Sequence, residues 1–491
     1  MTAPTPRQNQ STVFASGLAM VGAAITLLAT FGIARLVSQE NVEQAGVFFL
    51  TTAIVSIAGT GSSLGTQLAM VYFLPQALDR PEPNPRGLLW VALRPVAIIS
   101  VSLAVLTFVL ASNIGDLIGG SRADDVADVL RLLAPTIPAW AFTNGLLGAT
   151  RGLGTVTPTV LVQQVGRPLL QVLALIALAV TDSLTPIAIA LAWGIPVLLG
   201  AAAALAAVVQ LGGMEGQGPS EITSPEFWGY ARPHALSTSL QIAHERIDVV
   251  IVGAVLGPVL AGVYGALSRF ATAGNFIAYA LTQAISPNLR QAINSGDEKE
   301  ALRLFHDASS WMVITNWPYL FIVATKFVPL ALLLSDDYEA DAGILSIIVI
   351  GMIISALCGP IELHLLMRGH SKTTLTTTAI SLATDVILVL VLADWLGING
   401  AAIAWAVSLS AKNLINTYFS YKRHGVTAFS APTMLAAVGA IVAVVPIALL
   451  TPNNYTGLAI TVVVGGILTL TFIWFNRGRL GLLADPRPAA G

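Results

Sequence analysis

Apolar runs of about twenty residues recur along this chain from Val13 to Trp474, each about long enough to cross the ~30 Å hydrocarbon layer of a bilayer. In lipid every backbone N–H and C=O needs an internal partner, so only helices and closed barrels can span. The runs are continuous rather than alternating, which selects helix over barrel strand. Composition agrees: 55% of the residues are hydrophobic and 10% charged, against roughly 25% charged in a soluble domain. The expected fold is an all-α polytopic membrane protein.

Fourteen spans are expected, at 13–37, 46–73, 88–111, 130–150, 157–180, 185–210, 228–256, 261–286, 309–334, 343–367, 373–393, 398–420, 431–450 and 456–475. With both termini in the cytoplasm, fourteen Lys/Arg fall in cytoplasmic segments and one, Arg122, in the external loops. The positive-inside rule favours that orientation. The first run is too long for a signal-peptide core and is expected to remain as the first helix.

Several functions are excluded. A net charge of −2 and the single Cys358 argue against a nucleic-acid binder, a disulfide scaffold or a cysteine-ligated zinc site. No phosphate loop, H-E-x-x-H or G-x-S-x-G is present, and the six histidines show no metal-ligand spacing. No catalytic residue, metal or organic cofactor is therefore expected.

An internal repeat organises the spans. Ala45-Gly46-Val47-Phe48 opens the second span and Ala261-Gly262-Val263-Tyr264 the eighth; Arg151-Gly152 follows the fourth and Arg368-Gly369 the tenth. The offsets are 216 and 217 positions. Spans 1–6 thus pair with spans 7–12, giving two parallel six-helix lobes related by an axis along the membrane normal. The expected organisation is a cytoplasmic tail (1–12), an N-terminal lobe (13–210), a Gly/Pro-containing cytoplasmic linker (211–227), a C-terminal lobe (228–425), two further helices (426–476) and a cytoplasmic tail (477–491). The linker's composition suits a flexible tether as well as an ordinary loop.

Charge inside the spans points to function. Nine cations lie in or at the ends of spans: Arg35, Arg94, Arg131, Arg167, Arg232, Arg246, Arg269, Lys326 and Lys412. Only Glu245, Asp248, Glu362 and Asp385 oppose them. A charge at mid-bilayer costs at least ~2.5–3.5 kcal/mol by insertion scales, so the excess needs a reason. Arg131 and Arg232 are read as helix-end cations reaching for water, Arg35, Arg94 and Lys412 fit that reading and a wet cavity equally, and the others suggest a wet cavity that attracts an anion. In the seventh span His234, Ser237, Gln241, Glu245 and Asp248 fall within about 80° of one another at helical spacing. The eighth carries Ser268, Arg269, Thr272, Asn275, Tyr279 and Gln283 on one broad face. His234, Gln241, Glu245, Asp248, Asn275, Tyr279 and Gln283 are the expected cavity lining.

The stretch Arg246-Ile247-Asp248-Val249-Val250-Ile251-Val252-Gly253, with Ala261-Gly262-Val263-Tyr264, the Pro287 loop, the Tyr338 region, Arg368-Gly369-His370-Ser371-Lys372 and Gly397-Ile398-Asn399-Gly400-Ala401-Ala402-Ile403-Ala404, carries a resemblance. Ala34-Arg35-Leu36 and Ala45-Gly46-Val47-Phe48 add to it, so it covers residues 12 to about 425. The chain resembles the polysaccharide-flippase (Wzx-type) branch of the multidrug/oligosaccharidyl-lipid/polysaccharide exporter superfamily. The resemblance implies a flippase in the bacterial cytoplasmic membrane that moves a prenyl-pyrophosphate-linked oligosaccharide to the outer leaflet by alternating access. Its partners would be that lipid-linked saccharide, membrane lipids and the polymerase or glycosyltransferases of a glycan pathway. It further implies a cationic cavity, with Arg269 and Arg35 the closest positional matches; Arg246 and Lys326 join them only because they lie inside spans. An anionic pyrophosphate and a cationic lumen suit each other on physical grounds.

Two other functions compete. A cation-coupled drug exporter of the same superfamily would use Glu245, Asp248, Glu362 and Asp385 to bind H⁺ or Na⁺. A membrane glycosyltransferase or ligase would need a large external loop, and the longest here, about 112–129, is short and acidic.

Overall fold

The structure is a computed structural model that describes residues 6–38 and 42–480. Much of the expected tail 1–12 and residues 481–491 lie outside the described residues or side chains. All regular structure among the described residues is helical, and it forms two compact units, 1–266 and 267–491.

Unit 1 runs through α1 (Pro6–Ser38), α2 (Val42–Ser62), α3 (Thr66–Leu78), α4 (Pro85–Val109), α5 (Ala111–Ile118), α6 (Ala123–Leu133), α7 (Thr136–Gly152), α8 (Thr157–Val180), α9 (Pro186–Gln210) and α10 (Ser224–Leu256). The unit boundary falls inside α11 (Pro258–Thr272). Unit 2 continues with α12 (Gly274–Asn294), α13 (Glu298–Thr325), α14 (Phe327–Leu332), α15 (Ile344–Leu357), α16 (Ile361–Met367), α17 (Ser371–Leu396), α18 (Ile398–His424), α19 (Ala431–Leu450) and α20 (Tyr455–Asn476). Each expected span overlaps helix. Among the described residues seven helical segments are long and apolar enough to cross a membrane, or eight when α15 and α16, bent by 42°, count as one.

Helix starts follow local chemistry. Asn84 accepts from the Gly87 N–H at 2.8 Å, Thr223 from Glu226, Asp297 from Glu300, Ser430 from Thr433 and Asn454 from Gly457. Each satisfies an amide that the first turn leaves without a partner. Pro85, Pro225 and Pro432 sit in the first turns, where no N–H is needed.

The expected span 46–73 is broken. Leu64 (φ 52°) and Gly65 (φ 70°) adopt left-handed backbone between α2 and α3. Buried hydroxyls bond the local carbonyls there: Ser63 to Thr60 at 2.6 Å and Thr66 to Ser63 at 2.7 Å. Gly65 still permits close contact with α10, since a Cβ there would stand 2.7 Å from the Ala231 carbonyl oxygen. Gly148 and Gly152 do the same for α3, since a Cβ on Gly148 would stand 2.5 Å from the Gln67 carbonyl oxygen and one on Gly152 2.8 Å from that of Met70.

The repeated glycines have a packing reason. A Cβ on Gly46 would lie 1.9 Å from the Pro258 carbonyl oxygen, and one on Gly262 2.7 Å from the Gly46 nitrogen. The two copies of the Ala-Gly-Val motif meet at a backbone-to-backbone crossing.

One difference from the expected organisation concerns α10. The packing boundary falls at Ala266/Leu267 rather than in the 211–227 linker, because α10 packs on α2 and α3 of unit 1. Phe227, Trp228 and Ala231 join a core with Phe73 and Leu74, and a Cβ on Gly253 would meet Leu50 at 2.3 Å. The linker is also tied down. Asn84 donates to the carbonyls of Gln217, Gly218 and Pro219, Arg86 N–H donates to the Glu215 carbonyl, and Arg80 pairs with Glu221 at 2.5 Å.

Candidate functional site

The polar chemistry of unit 1 gathers around α8. Residues Val160–Gly166 form π-helix, and Arg167 resumes the α-helix. A π turn inserts a residue and re-aims the side chains beyond it, and such turns concentrate at functional sites. The turn is held from two sides. Thr26 of α1 donates to the Gln164 carbonyl at 2.9 Å, and Gln163 donates to Asn144 of α7 at 3.0 Å. Arg167 leaves this turn with its guanidinium over the Trp140 ring, 4.6 Å from the centroid, and Trp140 stacks on Trp193. Trp140, Asn144, Gln163 and Arg167 border a cavity of about 10 Å³, room for about one water.

Arg246 of α10 lies within electrostatic reach of Arg167. The Nε of each is buried with no hydrogen-bond partner, and no carboxylate forms an ion pair with either among the described residues. Glu245 and Asp248 act on Arg246 only through space. The result is two half-buried like charges, of which Arg167 is held in place by aromatic packing. Two adjacent guanidinium groups repel unless an anion or water shares the space, and Arg suits the bidentate recognition of phosphate oxygens.

The other expected cavity residues separate into groups. His234 is half-buried with its ring 4.9 Å from Tyr230, and Gln241 and Glu245 are exposed. Asp248 is buried and accepts from the Val249 N–H at 2.8 Å. Arg35 is exposed near the end of α1. Arg269 and Asn275 belong to unit 2, half-buried and exposed respectively. The side chains of Tyr279 and Gln283 lie outside the described residues.

Lys326 is not available to an anion. It is 1% exposed, and its ammonium donates to the carbonyls of Ala448 (2.7 Å), Thr451 (2.7 Å) and Pro452 (3.1 Å). Three donors are all that a lysine has. It pins the C-terminal end of α19 to α13. Burial alone suggested a binding role, and the carbonyls explain that burial instead.

The two candidate coupling carboxylates of unit 2 have separate partners. Glu362 pairs with Lys412 at 3.1 Å, while Asp385 is fully buried and accepts from Ser408 at 3.2 Å.

Sequence spacing also missed a cluster in unit 2. His370 and His424 face each other Nε2 to Nε2 at 2.8 Å, and Arg423 lies 3.2 Å from His370 Nδ1. Arg368 forms a bidentate pair with Glu298 and donates to His364 Nε2 at 3.2 Å. Burial, followed by the charges of Arg423 and Arg368, holds His370 below the ordinary imidazole range. His424 is lowered by burial and Arg368, and the Arg368 hydrogen bonds lower Glu298. No group of three or more His, Cys, Asp or Glu suited to a metal occurs among the described residues.

No family model matches the chain, and no curated protein matches its sequence. Its fold is that of solved transporters and flippases of the multidrug/oligosaccharidyl-lipid/polysaccharide exporter superfamily. It is similar to the lipid II flippase MurJ in an inward closed conformation, with a TM-score of 0.74 over 95% of this chain and 100% of that one, at 14% identity. It is also similar to an inward-facing multidrug resistance transporter of the MATE family, with a TM-score of 0.68, 14% identity and coverage of 83% and 98%. A transporter of the superfamily from Pyrococcus furiosus aligns at a TM-score of 0.59, 16% identity and coverage of 84% and 95%.

Proposed function

We propose that this chain is a flippase of fourteen spans, both termini cytoplasmic, that carries a prenyl-pyrophosphate-linked oligosaccharide from the cytoplasmic to the outer leaflet of a bacterial membrane by alternating access. The observation that supports it best is the Arg167–Arg246 pair. Two half-buried cations with no carboxylate bonded to them suit an anionic cargo and would repel a cationic one. A pyrophosphate would supply the charge-assisted hydrogen bond that the Nε of each guanidinium lacks. Arg35 and Arg269 remain candidate contacts for the same cargo.

The second reading is an H⁺- or Na⁺-coupled exporter of cationic drugs. Asp385 favours it, since a fully buried carboxylate with a serine donor is suited to exchange a proton.

The test is mass spectrometry of prenyl-pyrophosphate saccharides in cells depleted of the protein. The flippase reading expects one lipid-linked saccharide to accumulate, and its level to be restored by wild type but not by Arg246→Gln. No accumulation, with altered sensitivity to cationic drugs, would favour the exporter.

A further inference from the structure

Arg232, expected only to reach for water, borders a cavity of about 580 Å³ in unit 1. That volume lies within the ~300–1,000 Å³ of small-molecule sites. The cavity opens where the α2–α3 span breaks at Leu64, and its walls continue along α4 and the first turns of α10. Leu64, Ile99 and Leu236 give it an apolar side, and Ile99 and Leu236 are exposed at its rim. Non-helical backbone at membrane depth is tolerated where it is covered by protein or borders a cavity.

The polar groups are all donors or hydroxyls. Arg232 is exposed and has no ion pair or hydrogen bond among the described residues. Trp228 is 7% exposed, and its indole N–H is buried without an acceptor. Ser239 adds a hydroxyl, and no carboxylate is present in the lining. At 100° per residue Trp228, Arg232, Leu236 and Ser239 share one face of α10, about 180° from the stripe of His234, Gln241 and Glu245. The cavity is therefore separate from the polar stripe expected to meet the cargo.

We propose that this cavity holds an anionic glycerophospholipid, with its phosphate at Arg232 and an acyl chain along Leu64, Ile99 and Leu236. A lone cation beside an apolar wall matches a phosphodiester headgroup followed by hydrocarbon. The walls offer too few hydroxyls and amides to hold a saccharide. Arg232 stands eight residues into α10, about 12 Å along its axis, a depth a phosphodiester can reach from the interface. Only the choice of leaflet rests on the orientation proposed above, which makes it the inner one.

The test is native mass spectrometry of the full-length protein in detergent, titrated with dioleoyl phosphatidylglycerol, dioleoyl phosphatidylethanolamine, undecaprenyl phosphate and inorganic phosphate. Phosphatidylglycerol should be retained over phosphatidylethanolamine. Arg232→Gln should lower its retention about fivefold, the weight of one cation near an anionic headgroup. Leu236→Trp fills the apolar wall and leaves Arg232 in place, and should weaken retention similarly. Equal retention of the two phospholipids, or indifference to both variants, would overturn the proposal. So would displacement of phosphatidylglycerol by inorganic phosphate, which marks a bare anion site. Tighter binding of undecaprenyl phosphate would assign the cavity to cargo and overturn it too. Each outcome is read from binding alone, so it stands apart from any failure of the transport reading.

Discussion

Replacing Lys326 with methionine separates a structural cation from a cargo-binding one. Its ammonium is buried on three carbonyls at 2.7, 2.7 and 3.1 Å, two from the α19–α20 turn and one from the last turn of α19. Hydrogen bonds from a charged donor contribute ~1.5–3 kcal/mol each. Part of that offsets the cost of desolvating the ammonium, and methionine keeps the packing of the stem, so a net loss of about 3–5 kcal/mol is expected. At ~2–4 °C per kcal/mol for a unit of this size, the apparent midpoint of thermal unfolding in detergent should fall by roughly 6–20 °C. Below that temperature the folded variant should transport like wild type, because no proton of Lys326 is free for cargo. A variant of unchanged thermal stability whose transport is lost would refute this reasoning and return Lys326 to the site.

Gly46→Ala places a Cβ 1.9 Å from a backbone carbonyl oxygen that no side-chain rotation can clear, so it should cost about 3 kcal/mol or more and lower the yield of folded protein in a thermal assay. Glu362→Gln leaves Lys412 without its ion pair at 3.1 Å; transport with an unchanged pH profile would remove Glu362 as a coupling group, and the flippase reading expects that result. The His370–His424 contact should make stability depend on pH in one direction. Both groups are lowered in the folded state, so the unfolded chain takes up protons first, and stability should fall as pH drops below about 6.5. The loss should shrink in His424→Gln, measured by unfolding midpoints from pH 7.5 to 5. Glu298 is lowered too, so its contribution should be complete above the ordinary carboxylate range and be lost progressively as pH falls through that range and below it.

The fold was largely legible because lipid imposes a length and a hydropathy on each span, and that signal survives without relatives. Legibility failed where backbone geometry departs from regular helix. Nothing in Gly59–Thr66 except its density of Gly and Ser marks a break in the span. Nothing in Gln163-Gln164-Val165-Gly166 marks a π turn, although Thr26 and Asn144 secure it from other helices. Arg167 was recognised as an embedded cation but not placed at the site, since its partner Arg246 lies 79 positions away on another helix. Lys326 shows the opposite failure: burial of a charge was visible in sequence, while the carbonyls that satisfy it, more than 120 positions on, were not.

The central claim is that Arg167 and Arg246 hold an anionic cargo. The most direct measurement is translocation of a fluorescent prenyl-pyrophosphate monosaccharide in proteoliposomes, run beside thermal unfolding, for Arg167→Gln and Arg246→Gln. Loss of one charge-assisted contact, ~1.5–3 kcal/mol, predicts a fall of about 10- to 100-fold in translocation. Thermal stability should hold or rise, because neutralising either cation relieves a repulsion that no bonded carboxylate offsets. Translocation at the wild-type rate in both variants would contradict the account.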